Sequence, residues 1–229
     1  MVTFREALTD ADREWIAKQK VFFVSTAPLD KGGNVNSSPK GYNSMAILSG
    51  TRVLYLDGRG SGCETISHLR ENKRITIMFC AFEGPPRIVR LFGIGTVHEP
   101  GSSEFDSLFE EHYSAEWSDP GRFKFVRSII DIKLHLVSQS CGYAVPVMEF
   151  KTERSTLVDY MKNKSTDALV TMCVRDNTLS IDGVPSFLNG TDPGSATRWR
   201  SLADSIVPWV GGAALGAAAA LVVAKHALK

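Results

Sequence analysis

From residue 130 to 136 apolar and polar side chains alternate without a break, with Ile130, Ile132, Leu134 and Leu136 on one side and Asp131, Lys133 and His135 on the other. A period of two over that length predicts a half-buried strand. Residues 21–27 (VFFVSTA) and 34–39 read as two more strands, joined by the turn Leu29-Asp30-Lys31-Gly32-Gly33. Residues 45–48 and 52–57 flank Ser49-Gly50, and residues 74–82 and 87–98 flank Gly84-Pro85-Pro86 in the same way. All of these connections but one are tight turns, so the strands pair antiparallel and close into a barrel. Helical spacing appears in three places. Thr9 is the expected N-cap, with Asp12 in the first turn, of a helix reaching about Gln19 with Trp15 and Ile16 inward. Residues 102–112 make a second helix, followed by a turn at 117–121, and residues 152–175 a third, with Leu157, Tyr160 and Met161 on one face.

The one connection that is not a tight turn is the run Tyr55-Leu56-Asp57-Gly58-Arg59-Gly60-Ser61-Gly62-Cys63-Glu64-Thr65. A strand breaks there at glycines and reopens as a helix running to about Asn72. Ser61 followed by Glu64 has the spacing of a capping box, which places the helix start just after Ser61. Free backbone N–H groups and the positive end of the helix dipole behind a glycine loop suit a phosphate. The alternative is a loop that only turns the chain. Gly58, Gly60 and Gly62 fall one place short of the dinucleotide fingerprint and lack its βαβ context, which excludes a Rossmann unit. Arg87 and Arg90 read either as a solvated face or, since Arg90 stands among Ile88, Val89, Leu91 and Phe92, as partners of a buried or interfacial anion.

The combination of Ser38-Pro39-Lys40-Gly41, Tyr55-Leu56-Asp57, Gly60-Ser61-Gly62 with Glu64-Thr65, HLREN at 68–72, RITIMF at 74–79 and GPPRIVRL at 84–91 resembles the pyridoxamine 5′-phosphate oxidase-like proteins. The resemblance covers residues 15–150 and continues weakly to Ile181-Asp182-Gly183-Val184-Pro185. It implies a mainly β (α+β) fold, an antiparallel split β-barrel with flanking helices that binds FMN, usually at a homodimer interface. The cofactor-binding residues it implies are Ser38, Lys40, Tyr55, Leu56, Ser61, Gly62, Thr65 and Arg90. Of these, Ser61, Thr65 and the helix start take the phosphate, Lys40 and Arg90 supply positive charge, and the backbone of Tyr55 and Leu56 borders the flavin. Gln139 to Tyr143 with Val145-Pro146 also resembles the family, either lining the flavin pocket or simply turning at Gly142.

Two departures shape the function expected. Where the family's enzymes carry a basic pair on the phosphate-facing helix, this chain has Glu64 and Thr65. The family's basic C-terminal substrate-holding segment is also missing, which argues against vitamin B6 oxidation. The expected function is therefore an FMN-dependent oxidoreductase of unknown substrate, and the alternative a flavin- or haem-binding membrane-tethered protein without turnover.

Composition adds exclusions. With 229 residues, 43% hydrophobic, 22% charged and a formal net charge of +1, the chain is an ordinary globular sequence with no electrostatic case for nucleic acid. Four dispersed cysteines and histidines without metal spacing give no zinc site, and Glu64 and His68, one helical turn apart, read as a surface pair. The start has no apolar run of signal-peptide length, so secretion is not expected. The expected divisions are an FMN-binding domain at 1–150, a helical extension at 151–189, a polar linker at 190–206 and an uncharged apolar run at 207–224. That run reaches the lower length limit of a membrane span, has basic flanks and carries Gly212-x-x-x-Gly216. It reads as a tail anchor for the endoplasmic reticulum or mitochondrial outer membrane, leaving the barrel facing the cytosol, or alternatively as a soluble alanine-rich helix packed on the barrel.

Overall fold

A computed structural model describes residues 2–186; the apolar run at 207–224, with its two readings, lies outside the described residues. Among the described residues no helix is long and apolar enough to cross a membrane.

Eight strands, β1 (Thr3–Arg5), β2 (Phe22–Thr26), β3 (Asn36–Lys40), β4 (Met45–Ser49), β5 (Arg52–Gly58), β6 (Arg74–Cys80), β7 (Ile88–His98) and β8 (Val126–Ser140), form one sheet. Its order is β3-β2-β6-β7-β8-β5-β4, with β1 added on β8, and every pairing is antiparallel. The sheet curls on itself: Lys40 at the end of β3 reaches Asp57 on β5, near the opposite end of the strand order. All the strands expected from periodicity are present. Only the three-residue β1 went unforeseen, because it is too short to show a period.

The helices are α1 (Asp10–Ile16), α2 (Glu64–Asn72), α3 (Ser103–His112), α4 (Ser114–Trp117), α5 (Pro120–Phe123), α6 (Thr156–Lys162) and α7 (Thr166–Asn177). Thr9 caps α1 as expected and forms a full capping box with Asp12. The helix stops at Ile16, three residues short of the expected end. The stretch 117–121, expected as a turn, instead joins α4 to α5, because the Asp119 carboxylate accepts from the amides of Gly121 and Arg122 and opens a new helical turn at Pro120. The expected continuous helix at 152–175 is two helices, since Ser165 caps α7 separately. Met161 on the first of them is buried and Leu157 packs on the core, while Tyr160 is exposed.

Two apolar cores result. Phe22, Val24, Val53, Tyr55, Ile77, Val89, Leu91, Ile130 and Ile132 fill the inside of the curled sheet. Leu54, Leu56, Val126 and Ile129 face outward and are covered by Phe105, Trp117, Phe125, Met161 and Leu169 from the helical layer and the segments around it. Strand β5 and the first third of β8 are therefore buried on both faces, and that is why their sequences show no alternation.

Across β5, β8 and β7, Asp131 pairs with Arg52 at 2.9 Å and has the His98 ring 3.6 Å away. Partial burial acts to raise the Asp131 pKa, but His98 and Arg52 outweigh it and hold the group at about 2. A depressed carboxyl stabilises the fold above its unfolded pKa, and the contribution is lost as pH falls through the folded value. The stability of wild type should therefore drop more steeply than that of Asp131→Asn between about pH 4 and pH 2, as read from denaturant midpoints.

Candidate functional site

The glycine loop after β5 and the start of α2 face the end of β3 across a cleft of about 450 Å³. Tyr42, Phe125 and Leu157 contribute apolar wall, and Gly58 to Gly62 form the rim. Gly58 must be glycine, because the Phe125 ring occupies the position of a Cβ, with Cζ only 2.0 Å from it.

Beneath the cleft lies Asp57, fully buried at the end of β5. Lys40 Nζ reaches Oδ1 at 2.9 Å, and Arg127 donates from Nε to Oδ2 at 2.8 Å. Burial acts to raise Asp57, and the two cations outweigh it, keeping the carboxyl below its usual range. Arg127 Nη1 also donates to the Gly62 carbonyl at 2.6 Å and to Asn177 Oδ1 at 3.2 Å. Asn177 in turn donates to the Gly60 carbonyl at 3.0 Å. Arg59, also buried, donates to the Lys124 carbonyl and to Cys173 Sγ, each at 3.1 Å. The loop is thus fastened by side chains from β8 and α7, elements far away in sequence.

The capping box expected from Ser61 and Glu64 does not form. Helix α2 begins at Glu64, its N-cap is Cys63, and no side chain caps it. The glycines on either side of Ser61 let the loop run on for two residues, so Glu64 is the first helical residue rather than the third and cannot reach back to Ser61. Its Oε1 accepts instead from the Ile181 amide at 3.3 Å. At the other end Lys73 adopts a left-handed conformation (φ 63°) and closes the helix near the expected boundary.

Six of the eight expected cofactor residues, Ser38, Lys40, Leu56, Ser61, Gly62 and Thr65, line this one cleft. Tyr55 does not, since strand alternation turns it opposite to Leu56 and into the inner core, edge-on to Phe22 at 5.8 Å. The Lys40 ammonium lies 6.0 Å from the centre of its ring. Arg90 is also outside the lining; it sits on β7 and donates to Ser140 Oγ at 3.5 Å. The anion beside Arg87 is the chain's own buried Asp12, which Arg5 also contacts, and Arg87 stacks over Trp15 at 4.7 Å. Gln139 accepts from Arg87, and Gly142 has φ +66°, the turn reading of that stretch.

Sequence reasoning missed Arg127, Arg59 and Asn36. For Arg127 there was a usable signal, since a lone arginine in the run Phe125-Val126-Arg127-Ser128-Ile129-Ile130 would be costly to bury without an anion.

A curled antiparallel sheet with flanking helices is the architecture that the family resemblance implies. The chain belongs to the pyridoxamine 5′-phosphate oxidase family, whose model matches residues 8–141. It is 40% identical over 169 residues to the pyridoxamine 5′-phosphate oxidase family protein ustO of Aspergillus flavus, a match covering 68% of this chain and 61% of that protein, less than two thirds of its length. Among solved structures, a variant of HupZ from Group A Streptococcus is 19% identical with a TM-score of 0.45, covering 58% of this chain and 98% of that one. A FAD-binding protein from Mesorhizobium loti is 14% identical with a TM-score of 0.40, covering 61% and 96%.

The ion cluster beneath the cleft yields a stability prediction. Arg127→Met should destabilise the protein by about 3–5 kcal/mol, because it strips a buried carboxylate of one of its two cations. Arg52→Ala, which breaks a pair whose arginine is half exposed, should cost at most about 1 kcal/mol. Urea unfolding of the two variants beside wild type checks the contrast.

Proposed function

We propose that the cleft binds FMN and that the protein is a flavoprotein of the oxidoreductase type, acting on a substrate other than a vitamin B6 phosphate. The observation that carries this reading is the convergence of the Lys40 ammonium, the uncapped start of α2 and the hydroxyls of Ser38, Ser61 and Thr65 on one cavity. The residues present fit the group. A volume of about 450 Å³ falls in the range of small-molecule sites, and the open N–H groups of α2 suit a phosphate. Lys40 and Arg127 line it and share the buried Asp57 beneath.

When bound, the flavin supplies the redox chemistry. The protein's own share is to seat the phosphate on α2, hold the sugar chain along Ser38 and Lys40, and exclude water with Tyr42, Phe125 and Leu157. A single anion seat favours FMN over FAD. Family membership supports a homodimer, in which a partner could bring Arg90 to the opposite site.

The purified protein should be yellow, or should quench FMN fluorescence on titration and take up FAD more weakly. A colourless protein that gains no flavin from excess FMN overturns the proposal, and a Soret band in place of flavin bands replaces it with haem binding. Lys40→Ala should weaken FMN binding by about 1.5–3 kcal/mol, the value of a hydrogen bond to a charged group. Arg90→Ala should weaken it only if a second copy completes the site, so equal affinity for that variant assigns the cleft to a single chain.

A further inference from the structure

Four side chains behind the cleft form one hydrogen-bonded row that ends on a buried histidine. Ser38 Oγ lies 3.0 Å from Asn36 Oδ1, and Asn36 Nδ2 lies 3.1 Å from Thr65 Oγ1 and 3.5 Å from Thr26 Oγ1. Thr26 Oγ1 is 3.0 Å from His68 Nδ1. His68 is completely buried, and its Nε2 has no hydrogen-bond partner. Ser38, Asn36 and Thr65 line the cleft, whereas Thr26 and His68 do not.

Each hydroxyl has one hydrogen and each amide edge one polarity, so two arrangements carry the hydrogens through the row in a single sense. In the first, the Asn36 NH₂ donates to Thr65 and Thr26, Thr26 passes its hydrogen to His68 Nδ1, and the ring proton sits on Nε2. The Thr65 hydrogen is then not spent on Asn36 and is shared between the cleft and the buried Tyr55 hydroxyl beside it, while Ser38 spends its own on Asn36. In the second, every arrow reverses, the proton sits on Nδ1, and Thr65 offers the cleft only lone pairs.

We propose that His68 is a positioning residue, held as its Nε2–H tautomer, that through Thr26 and Asn36 fixes Thr65 as a hydrogen-bond donor to an anion in the cleft. The charged groups around the ring are the carboxylates of Asp182, Glu64 and Glu71, and the Asn36 amide, with Nδ2 toward Thr26 and Oδ1 toward Ser38, leaves the Thr26 hydrogen for Nδ1 and the ring proton for Nε2. Burial, outweighing those carboxylates, lowers the His68 pKa and so keeps the ring neutral, as a relay with one acceptor nitrogen requires. Thr65 stands on the first turn of α2, where its hydroxyl adds a side-chain donor to the helix N–H groups. That the anion is the flavin phosphate rests on the function proposed above, whereas the direction of the row does not.

The direct test is the long-range ¹H–¹⁵N spectrum of the histidine rings in the full-length, flavin-free protein near neutral pH. His68 is assigned by the signal missing in His68→Gln, or by elimination through variants of the other histidines. A ring protonated on Nε2 supports the relay; one protonated on Nδ1, or on both nitrogens, overturns it. The second test compares FMN with riboflavin, which lacks the phosphate. Thr26→Val should weaken FMN binding roughly three- to tenfold and leave riboflavin binding unchanged, while Thr26→Ser, which keeps the hydroxyl, should match wild type. Equal weakening toward both flavins, or none toward FMN, would overturn the positioning role. A wild-type protein that binds neither flavin removes the function proposed above, and the ring spectrum still decides the relay.

Discussion

One buried carboxylate holds the architecture of the site together. Asp57 ends the most buried strand of the protein, and to stay ionised there it needs cations at its own depth. Lys40 supplies one from β3 and Arg127 the other from β8, so satisfying a single charge fixes the distance between the curled ends of the sheet. The same cations face the cleft. The ion cluster that holds the sheet together therefore also lines the cleft, where Glu64 stands at the start of α2.

The helical layer follows from the sequence of β5. A strand reading Val53-Leu54-Tyr55-Leu56 cannot leave either face in water, so Val53 and Tyr55 go to the inner core while Leu54 and Leu56 demand a cover. That cover comes from α3 to α7 together with Phe125, and it includes Val158, Met161, Leu169, Met172 and Cys173 from beyond residue 150. Where the cover ends, at the end of β5, the cleft begins. Its apolar wall of Phe125 and Leu157 is the edge of the second core, so packing and site share side chains.

The strands themselves and most element boundaries were legible in the sequence because period-two patterns and glycine turns are local signals, whereas the expected run of sequential neighbours is broken by the long-range pairings of β2 with β6 and β5 with β8. What failed was local chemistry that depends on distant partners. The capping box at Ser61 had the right spacing, but the loop is fastened by Arg127 and Asn177, and these let the helix start two residues later than Ser61 alone would set it. Arg90 and Arg127 present the same outline, an arginine among apolar neighbours, yet one meets a serine hydroxyl on the next strand and the other a buried carboxylate. Nothing within a few residues of either distinguishes them. Asn36 was invisible for a related reason, since its bonds to Thr26 and Thr65 form only after β2 pairs with β3 and α2 packs beside them.

The glycine loop itself runs against its composition. Three glycines in five residues form a segment that is expensive to order, and an unfastened loop would charge that entropy to any ligand. Here the ordering is completed by folding. Arg59 donates its backbone N–H to the Phe125 carbonyl at 2.8 Å, Asn177 holds Gly60, and Arg127 holds Gly62. Asn177 is itself anchored, its carbonyl accepting from Ser186 and its Oδ1 from Arg127. The segment after α7 thus supports from behind a loop that β8 and α7 fasten, although none of its residues from Thr178 to Ser186 lines the cleft. A loop ordered in advance costs a ligand no binding energy to arrange, so glycine serves here for close backbone approach, as at Gly58 against the Phe125 ring, rather than for mobility.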